Sequence, residues 1–146
     1  KYQIIFKCIL IGLGLTEDNN HLINKINKYK LTKHIILYGE NKEVNKIINS
    51  FDLYVLTSKS ECAPVTLLES MSCGIPCLST NVGDAKNIVG DSGWIVEPEN
   101  PRELSICIKK IIKQNNLLKP KSQLALKRIR NYFTLEKMLA EYEKLY

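Results

Sequence analysis

The chain has 146 residues, 45% of them hydrophobic and 25% charged, with only 7 Gly and 5 Pro; this suits one domain whose core buries about two-thirds of the unfolded surface, and excludes disordered, collagen-like and disulfide-dependent classes. No apolar run approaches the roughly 18 to 20 residues that a membrane span needs. The net charge of +6 comes from 21 Lys and Arg against 15 Asp and Glu, 18 of the cations being Lys, and scattered lysines without interleaved aromatics argue against nucleic acid as a partner.

In chain order, Ile4, Ile5, Phe6 and Cys8 to Ile11 read as a buried strand closing in Gly12-Leu13-Gly14, the pattern of a strand covered on both faces and followed by a tight turn. A chain that opens directly on a strand is expected to lack upstream sequence. Leu22, Ile23, Ile26 and Tyr29 then recur at helical spacing, and His34 to Tyr38 is a second apolar run closed by Gly39. Val44, Ile47 and Ile48 mark a short helix, and Leu53 to Leu56 a third strand. Val65 to Ser72 predicts a helix with Pro64 at its first position, followed by a strand over Cys77 to Thr80 and a short helix over Ala85 to Val89.

The last strand is Gly93 to Val96, with Trp94 as core packing. Asn100, Pro101 and Glu103 supply an N-cap, a first-turn proline and a capping-box acid for a helix whose inner face is Leu104, Cys107, Ile108, Ile111 and Ile112. Two more helices follow, Lys121 to Tyr132 and Leu135 to Tyr146, the second capped by Thr134 and apolar along Leu135, Met138, Leu139, Tyr142 and Leu145. That face is longer than a helix on the rim of a lone domain requires, so part of it is expected to be exposed. Strand and helix alternate throughout, which predicts crossovers and one doubly wound, Rossmann-like α/β domain over residues 1–146.

The five cysteines are odd in number and mostly lie in apolar stretches, as free thiols of a reducing, cytoplasmic compartment do. Cys73 and Cys77 have no second Cys or His pair beside them, so they read as small core residues and no metal site is expected. The densest basic stretch, Lys119, Lys121, Lys127, Arg128 and Arg130, reads as an exposed helix face, with a peripheral contact to anionic lipid as the alternative.

In an open parallel sheet, ligands sit beyond the carboxyl ends of the strands, which directs attention to the loop after Leu56. It runs through Glu61, Cys62, Ala63 and Pro64 into a helix whose first N–H groups, those of Val65 and Thr66, and positive dipole end favour a phosphate. Glu61 and Glu69 bracket that helix start, and carboxylates of this kind take the hydroxyls of a ribose or a sugar. By spacing alone the favoured reading is a surface helix acid and a loop acid, because Glu pairs eight residues apart are common by chance.

The wider string, Asp52 to Pro76 with seven residues between its paired acids and then Met71-x-x-Gly74-x-Pro76, resembles the donor-site signature of family 4 (group 1) glycosyltransferases of the GT-B fold. The likeness continues through Thr80-Asn81-Val82-Gly83-Asp84, Ile88-Val89, Gly93-Trp94-Ile95-Val96, Pro98 and Asn100-Pro101, and covers essentially the whole chain as the C-terminal half of such a fold. The resemblance implies that Glu69 holds the ribose of a donor nucleotide, that Glu61 contacts the donor sugar as the catalytic acid of the site, and that Cys62 to Thr66 receive sugar and diphosphate. It assigns Tyr38 and Gly39 to the base, and Gly12 and Gly14 to the glycine turn after the first strand. It further implies a retaining hexosyltransferase without cofactor or catalytic metal, in accord with the lack of an Asp-x-Asp string. The expected donor is a UDP-linked sugar, and the expected acceptor is a saccharide or lipid-linked saccharide in bacterial surface polysaccharide or lipopolysaccharide assembly. The acceptor would be bound by an N-terminal domain not present in this chain, at the cytoplasmic face of the membrane, and the chain alone is expected to transfer no sugar.

Two departures bear on this. Cys62-Ala63-Pro64 stands where the family commonly has glycines on both sides of an aromatic, and the basic pair that neutralises the diphosphate in the family has no counterpart before Cys8. The alternatives to a transferase are a nucleotide-sugar epimerase of the same architecture, which would need acid and base groups not found here, and a non-catalytic nucleotide-binding or interaction module.

Overall fold

The computed structural model describes residues 5–145; Ile4 and Tyr146, assigned above to the first strand and the last helix, lie outside the described residues. The elements are β1 (Cys8–Ile11), α1 (Asn20–Lys28), β2 (Ile35–Gly39), α2 (Val44–Ile48), β3 (Tyr54–Leu56), α3 (Val65–Ser72), β4 (Cys77–Thr80), α4 (Ala85–Val89), β5 (Trp94–Val96), α5 (Pro101–Lys113), α6 (Leu118–Tyr132) and α7 (Leu135–Glu143). Every strand pairing is parallel, as the alternation predicts. The ladder hydrogen bonds distribute the strands over two sheets, β1-β2 and β3-β4-β5, and the chain forms two compact units that divide between Val44 and Asn45. Apolar periodicity marks a segment as a buried strand but does not name its pairing partner.

In the first unit β1 pairs with β2 from Cys8↔Ile35 to Ile11↔Gly39, with a register shift between Leu10 and Ile11. Asn19 caps α1, its side chain accepting from the Leu22 N–H at 3.1 Å, and Ile26 is the buried residue of that helix. Tyr29, expected on the inner face, is exposed instead. It sits just past the last helical residue, where the turn carries it off the apolar stripe and Lys28 Nζ lies 5.9 Å from its ring.

The second unit is doubly wound, and the period of two along its strands accounts for this. Tyr54, Leu56, Cys77 and Ile95 point to one face, where they pack with Leu67 and Met71 of α3, Ala85, Ile88 and Val89 of α4, and Ala125 of α6. Val55, Leu78, Trp94 and Val96 point to the other, onto Leu104, Cys107, Ile108 and Ile111 of α5. Trp94 is thus a core residue as expected, with Lys121 Nζ 5.7 Å from its ring.

The helix ends follow local chemistry. Asn100 Oδ1 accepts from the Glu103 N–H at 3.0 Å, but Glu103 Oε2 accepts from the Asn100 side-chain amide and the Glu97 N–H, at 3.1 and 3.2 Å, rather than from the Asn100 backbone. α6 begins at Leu118, three residues earlier than expected, because Pro120 falls in the first turn, where a missing N–H costs no intrahelical bond. Its basic residues are partly committed: Arg128 donates to the Ile88 carbonyl at 2.9 Å and to the Asn87 carbonyl, and Lys121 donates to the Asp91 carbonyl. α7 carries Leu135, Met138, Leu139 and Tyr142 on an exposed face, continued by exposed Leu145, as its pattern predicts. Among the described residues no helix is long and apolar enough to cross a membrane.

Candidate functional site

The residues between β3 and α3 form a loop at the carboxyl end of β3, where ligands of parallel sheets are held. Ser58 Oγ donates to Glu61 Oε1 at 2.7 Å, and Thr80 Oγ1, at the end of β4, donates to the Ser58 carbonyl at 2.7 Å. The Asp84 N–H donates to the Cys62 carbonyl at 2.9 Å. Gly83 lies flat against the same loop: at its φ of +49° an added Cβ would stand 2.2 Å from the Cys62 oxygen and 2.4 Å from the Glu61 oxygen. The loop is therefore seated on the turn between β4 and α4, with Glu61, Cys62 and Ala63 exposed and Pro64 buried.

Pro64 is the cap of α3 rather than its first helical residue, with φ −72° and ψ 98°. Its carbonyl accepts from the Leu67 N–H at 3.1 Å, which makes it the half-in residue, and no side chain caps the helix. Val65 and Thr66 thereby occupy the first two helical positions, whose N–H groups have no intrahelical acceptor. Leu67, Ser70 and Met71 form the buried face of α3. Val65, Thr66 and Glu69 share the opposite, exposed face, because the helical period places position 69 between 65 and 66. Exposed N–H donors at a positive dipole end thus stand one turn from a carboxylate.

Tyr54, in β3, packs against the core cluster that Leu67 and Met71 of α3 join. Burial pushes its hydroxyl above the usual tyrosine range, the Thr66 side chain opposes this with a hydrogen bond, and the charges of Glu69 and Glu61 add to the rise. Burial pushes the Cys77 thiol up to about 12, so it remains a protonated core group. Among the described residues no group of three or more His, Cys, Asp and Glu is placed to hold a metal ion.

In the first unit, the Gly12 N–H donates to the Gly39 carbonyl at 2.9 Å, and the Gly39 N–H to the Leu15 carbonyl at 3.0 Å. This brings Gly12, Gly39 and Tyr38 together at the carboxyl ends of β1 and β2; Gly14 is held by Asn19, whose side-chain amide donates to its carbonyl at 2.8 Å. Two surface depressions, one against α5 at Ile106, Lys109, Lys110 and Lys113 and one in the first unit at Ile23, Ile26, Ile35 and Leu37, take in none of these groups.

The profile of the family described as glycosyl transferases group 1 matches residues 2–128. The chain belongs to this family. Among curated relatives, it is 25% identical to N-acetyl-alpha-D-glucosaminyl L-malate synthase of Bacillus anthracis over 99% of this chain and 38% of that protein. It is 28% identical to the O-antigen biosynthesis glycosyltransferase WclY of Escherichia coli, over 94% of this chain and 38% of the relative. Of the solved structures, Anabaena Alr3699/HepE in complex with UDP matches with a TM-score of 0.83 at 20% identity, over 96% of this chain and 40% of its own. A glycosyltransferase from Rickettsia africae ESF-5 matches with a TM-score of 0.84 at 24% identity, over 97% and 39%. The α/β architecture is that of the GT-B glycosyltransferases. The chain spans about 38% of the length of these curated relatives.

In this group 1 glycosyl transferase chain the resemblance of the wider string, rather than spacing, singled out Glu61, Glu69 and the start of α3 as candidates. It gave no separate part to Tyr54, Ser58, Thr80 and Gly83, whose contacts include neighbours distant along the chain. One signal was available for Gly83: a glycine between a strand and a short helix, where a close backbone approach is a common cause.

Proposed function

We propose that this chain is the nucleotide-sugar-binding part of a retaining hexosyltransferase that uses a UDP-linked donor. The whole protein would extend a saccharide or lipid-linked saccharide in bacterial surface polysaccharide or lipopolysaccharide assembly, at the cytoplasmic face of the membrane and in peripheral contact with it. The observation that carries this reading is the start of α3: uncapped N–H groups at Val65 and Thr66, Glu69 on the same face, and Glu61 in the loop that leads in. Names of relatives support the chemistry. One is an amylovoran biosynthesis glycosyltransferase of Erwinia amylovora, and another, from Escherichia coli, is named as transferring from UDP-Gal to a GlcNAc-diphosphoundecaprenol.

In this reading Glu69 accepts hydrogen bonds from the ribose hydroxyls and Glu61 from hydroxyls of the sugar. The diphosphate sits over the Val65 and Thr66 N–H groups. As the glycosidic bond breaks, charge builds on the leaving diphosphate, and fixed N–H dipoles aimed at it stabilise that charge without reorganisation. No metal and no cofactor enters the step.

Calorimetric titration of the chain with UDP, UDP-glucose, UDP-galactose and UDP-N-acetylglucosamine tests the assignment. Glu69→Ala removes a charged acceptor worth about 1.5 to 3 kcal/mol and is expected to weaken UDP itself. Glu61→Ala is expected to leave UDP nearly unchanged and to abolish discrimination among the sugars. Equal losses for nucleotide and nucleotide sugar in both variants would contradict this division of labour.

A further inference from the structure

Glu61 is the end of a hydrogen-bonded relay that starts in a different loop. Thr80 is 4% exposed, so its hydroxyl needs a partner inside the protein. It finds the Ser58 carbonyl at 2.7 Å across 22 residues of sequence. That bond holds the Ser58 carbonyl and so the backbone from which the Ser58 side chain projects. Ser58 Oγ in turn donates to Glu61 Oε1 at 2.7 Å, a charge-assisted bond to an exposed side chain that would otherwise sample several rotamers. The backbone of the acid is held separately, by the Asp84 N–H on the Cys62 carbonyl at 2.9 Å and by Gly83 against the Glu61 and Cys62 oxygens.

We propose that Ser58 and Thr80 are positioning residues for Glu61: they hold its carboxylate in one orientation before a ligand arrives, and so set sugar discrimination without touching the sugar. This rests on the assignment of Glu61 to the donor sugar made above. Glu61 Oε1 accepts from Ser58, which leaves Oε2 and the remaining lone pairs for sugar hydroxyls. A carboxylate aimed in advance favours the hydroxyl arrangement that matches it, whereas a freely rotating one adapts to several. Ser58 and Thr80 are thus expected to govern which sugar is preferred, and the nucleotide affinity is expected to be indifferent to both.

Two measurements separate this relay from the assignment it rests on. In the isotopically labelled chain without ligand, three-bond couplings report the Glu61 χ1 rotamer. A single dominant rotamer is expected in the wild type and in Thr80→Ser, and rotamer averaging in Ser58→Ala and Thr80→Val. Averaging already present in the wild type, or a Glu61 rotamer unmoved in Ser58→Ala, would overturn the relay. The second measurement is calorimetry with UDP and UDP-glucose. Ser58→Ala and Thr80→Val are expected to change the preference for UDP-glucose over UDP by about threefold to tenfold while UDP affinity stays within about twofold, and Thr80→Ser to restore it. In the Glu61→Ala background, Ser58→Ala is expected to change nothing further, which a merely structural role would not produce. If Glu61→Ala moves the preference and Ser58→Ala does not, the relay is wrong and the sugar assignment stands. If the rotamer behaves as expected but Glu61→Ala leaves the preference unmoved, the sugar assignment fails and the relay survives.

Discussion

Gly83 carries a severe steric demand beside the acidic loop, because any β-carbon there meets two carbonyl oxygens at 2.2 and 2.4 Å. Its φ of +49° adds the strain of a left-handed conformation for any other residue. Gly83→Ala is expected to destabilise the chain by about 1 to 3 kcal/mol in urea denaturation, and an unfolding midpoint indistinguishable from wild type would contradict the close approach. The Cys77 thiol offers a test in pH. Its folded value is raised from 9.0 to about 12, so the unfolded thiol ionises from pH 9 upward while the folded one stays protonated. That contribution to stability is complete below pH 9 and is lost as the pH rises toward 12, by an amount on the order of 4 kcal/mol. Tyr54 acts in the same direction above its ordinary value of 10.0. Urea midpoints followed across this range are expected to fall more steeply for wild type than for Cys77→Ala, and identical slopes would refute the buried-thiol account. Glu61 and Glu69 were singled out as candidates by the wider string around them, since their spacing alone favours a loop acid and a surface helix acid. Gly83, Thr80 and Ser58 were not, since each acts on a partner that the sequence does not reveal.

The capping signals of α5 show how far local chemistry reaches. Asn100 and Pro101 were readable as the start of the helix and stand there, with Asn100 Oδ1 on the Glu103 N–H at 3.0 Å. Asn100→Ala is expected to cost about 0.5 to 2 kcal/mol, with Asn100→Asp retaining most of it, measured by thermal or urea unfolding. Equal losses in both variants would point away from capping. The early start of α6 was hidden because proline is read as a breaker, whereas its tolerance in a first turn depends on where the preceding segment ends. Helices were legible from their period of 3.6 and strands as short apolar runs closed by turn residues, and the allocation of strands to two sheets was not. Pairing depends on which surfaces meet, and a run such as Ile9-Leu10-Ile11 has no alternation to say what lies beside it.

For the molecule as a whole, the family and the α/β class were both legible, because a string of turn, acid and glycine positions stayed in order along the entire chain. Where a diphosphate settles is a separate question, since two features of the second unit attract anions. One is the start of α3, with the Val65 and Thr66 N–H groups and Glu69 on one face. The other is the depression against α5 with Lys109, Lys110, Lys113 and Gln114, which has more positive charge but lies toward the carboxyl end of its helix, where the backbone N–H groups are taken by intrahelical bonds. A site that recognises a nucleotide must combine directional donors with a hydroxyl acceptor, and of these two features the start of α3 is the one with helix-start N–H groups beside a carboxylate; exposed lysines alone attract any anion and are screened by salt. Titrating the isotopically labelled chain with UDP and following its backbone amides separates the two directly. The largest shifts are expected at Ala63, Val65, Thr66 and Glu69, and to persist at about 0.15 M salt, where the Debye length is about 8 Å. Shifts centred on Lys109, Lys110 and Lys113, or no saturable shift at the start of α3, would contradict the account.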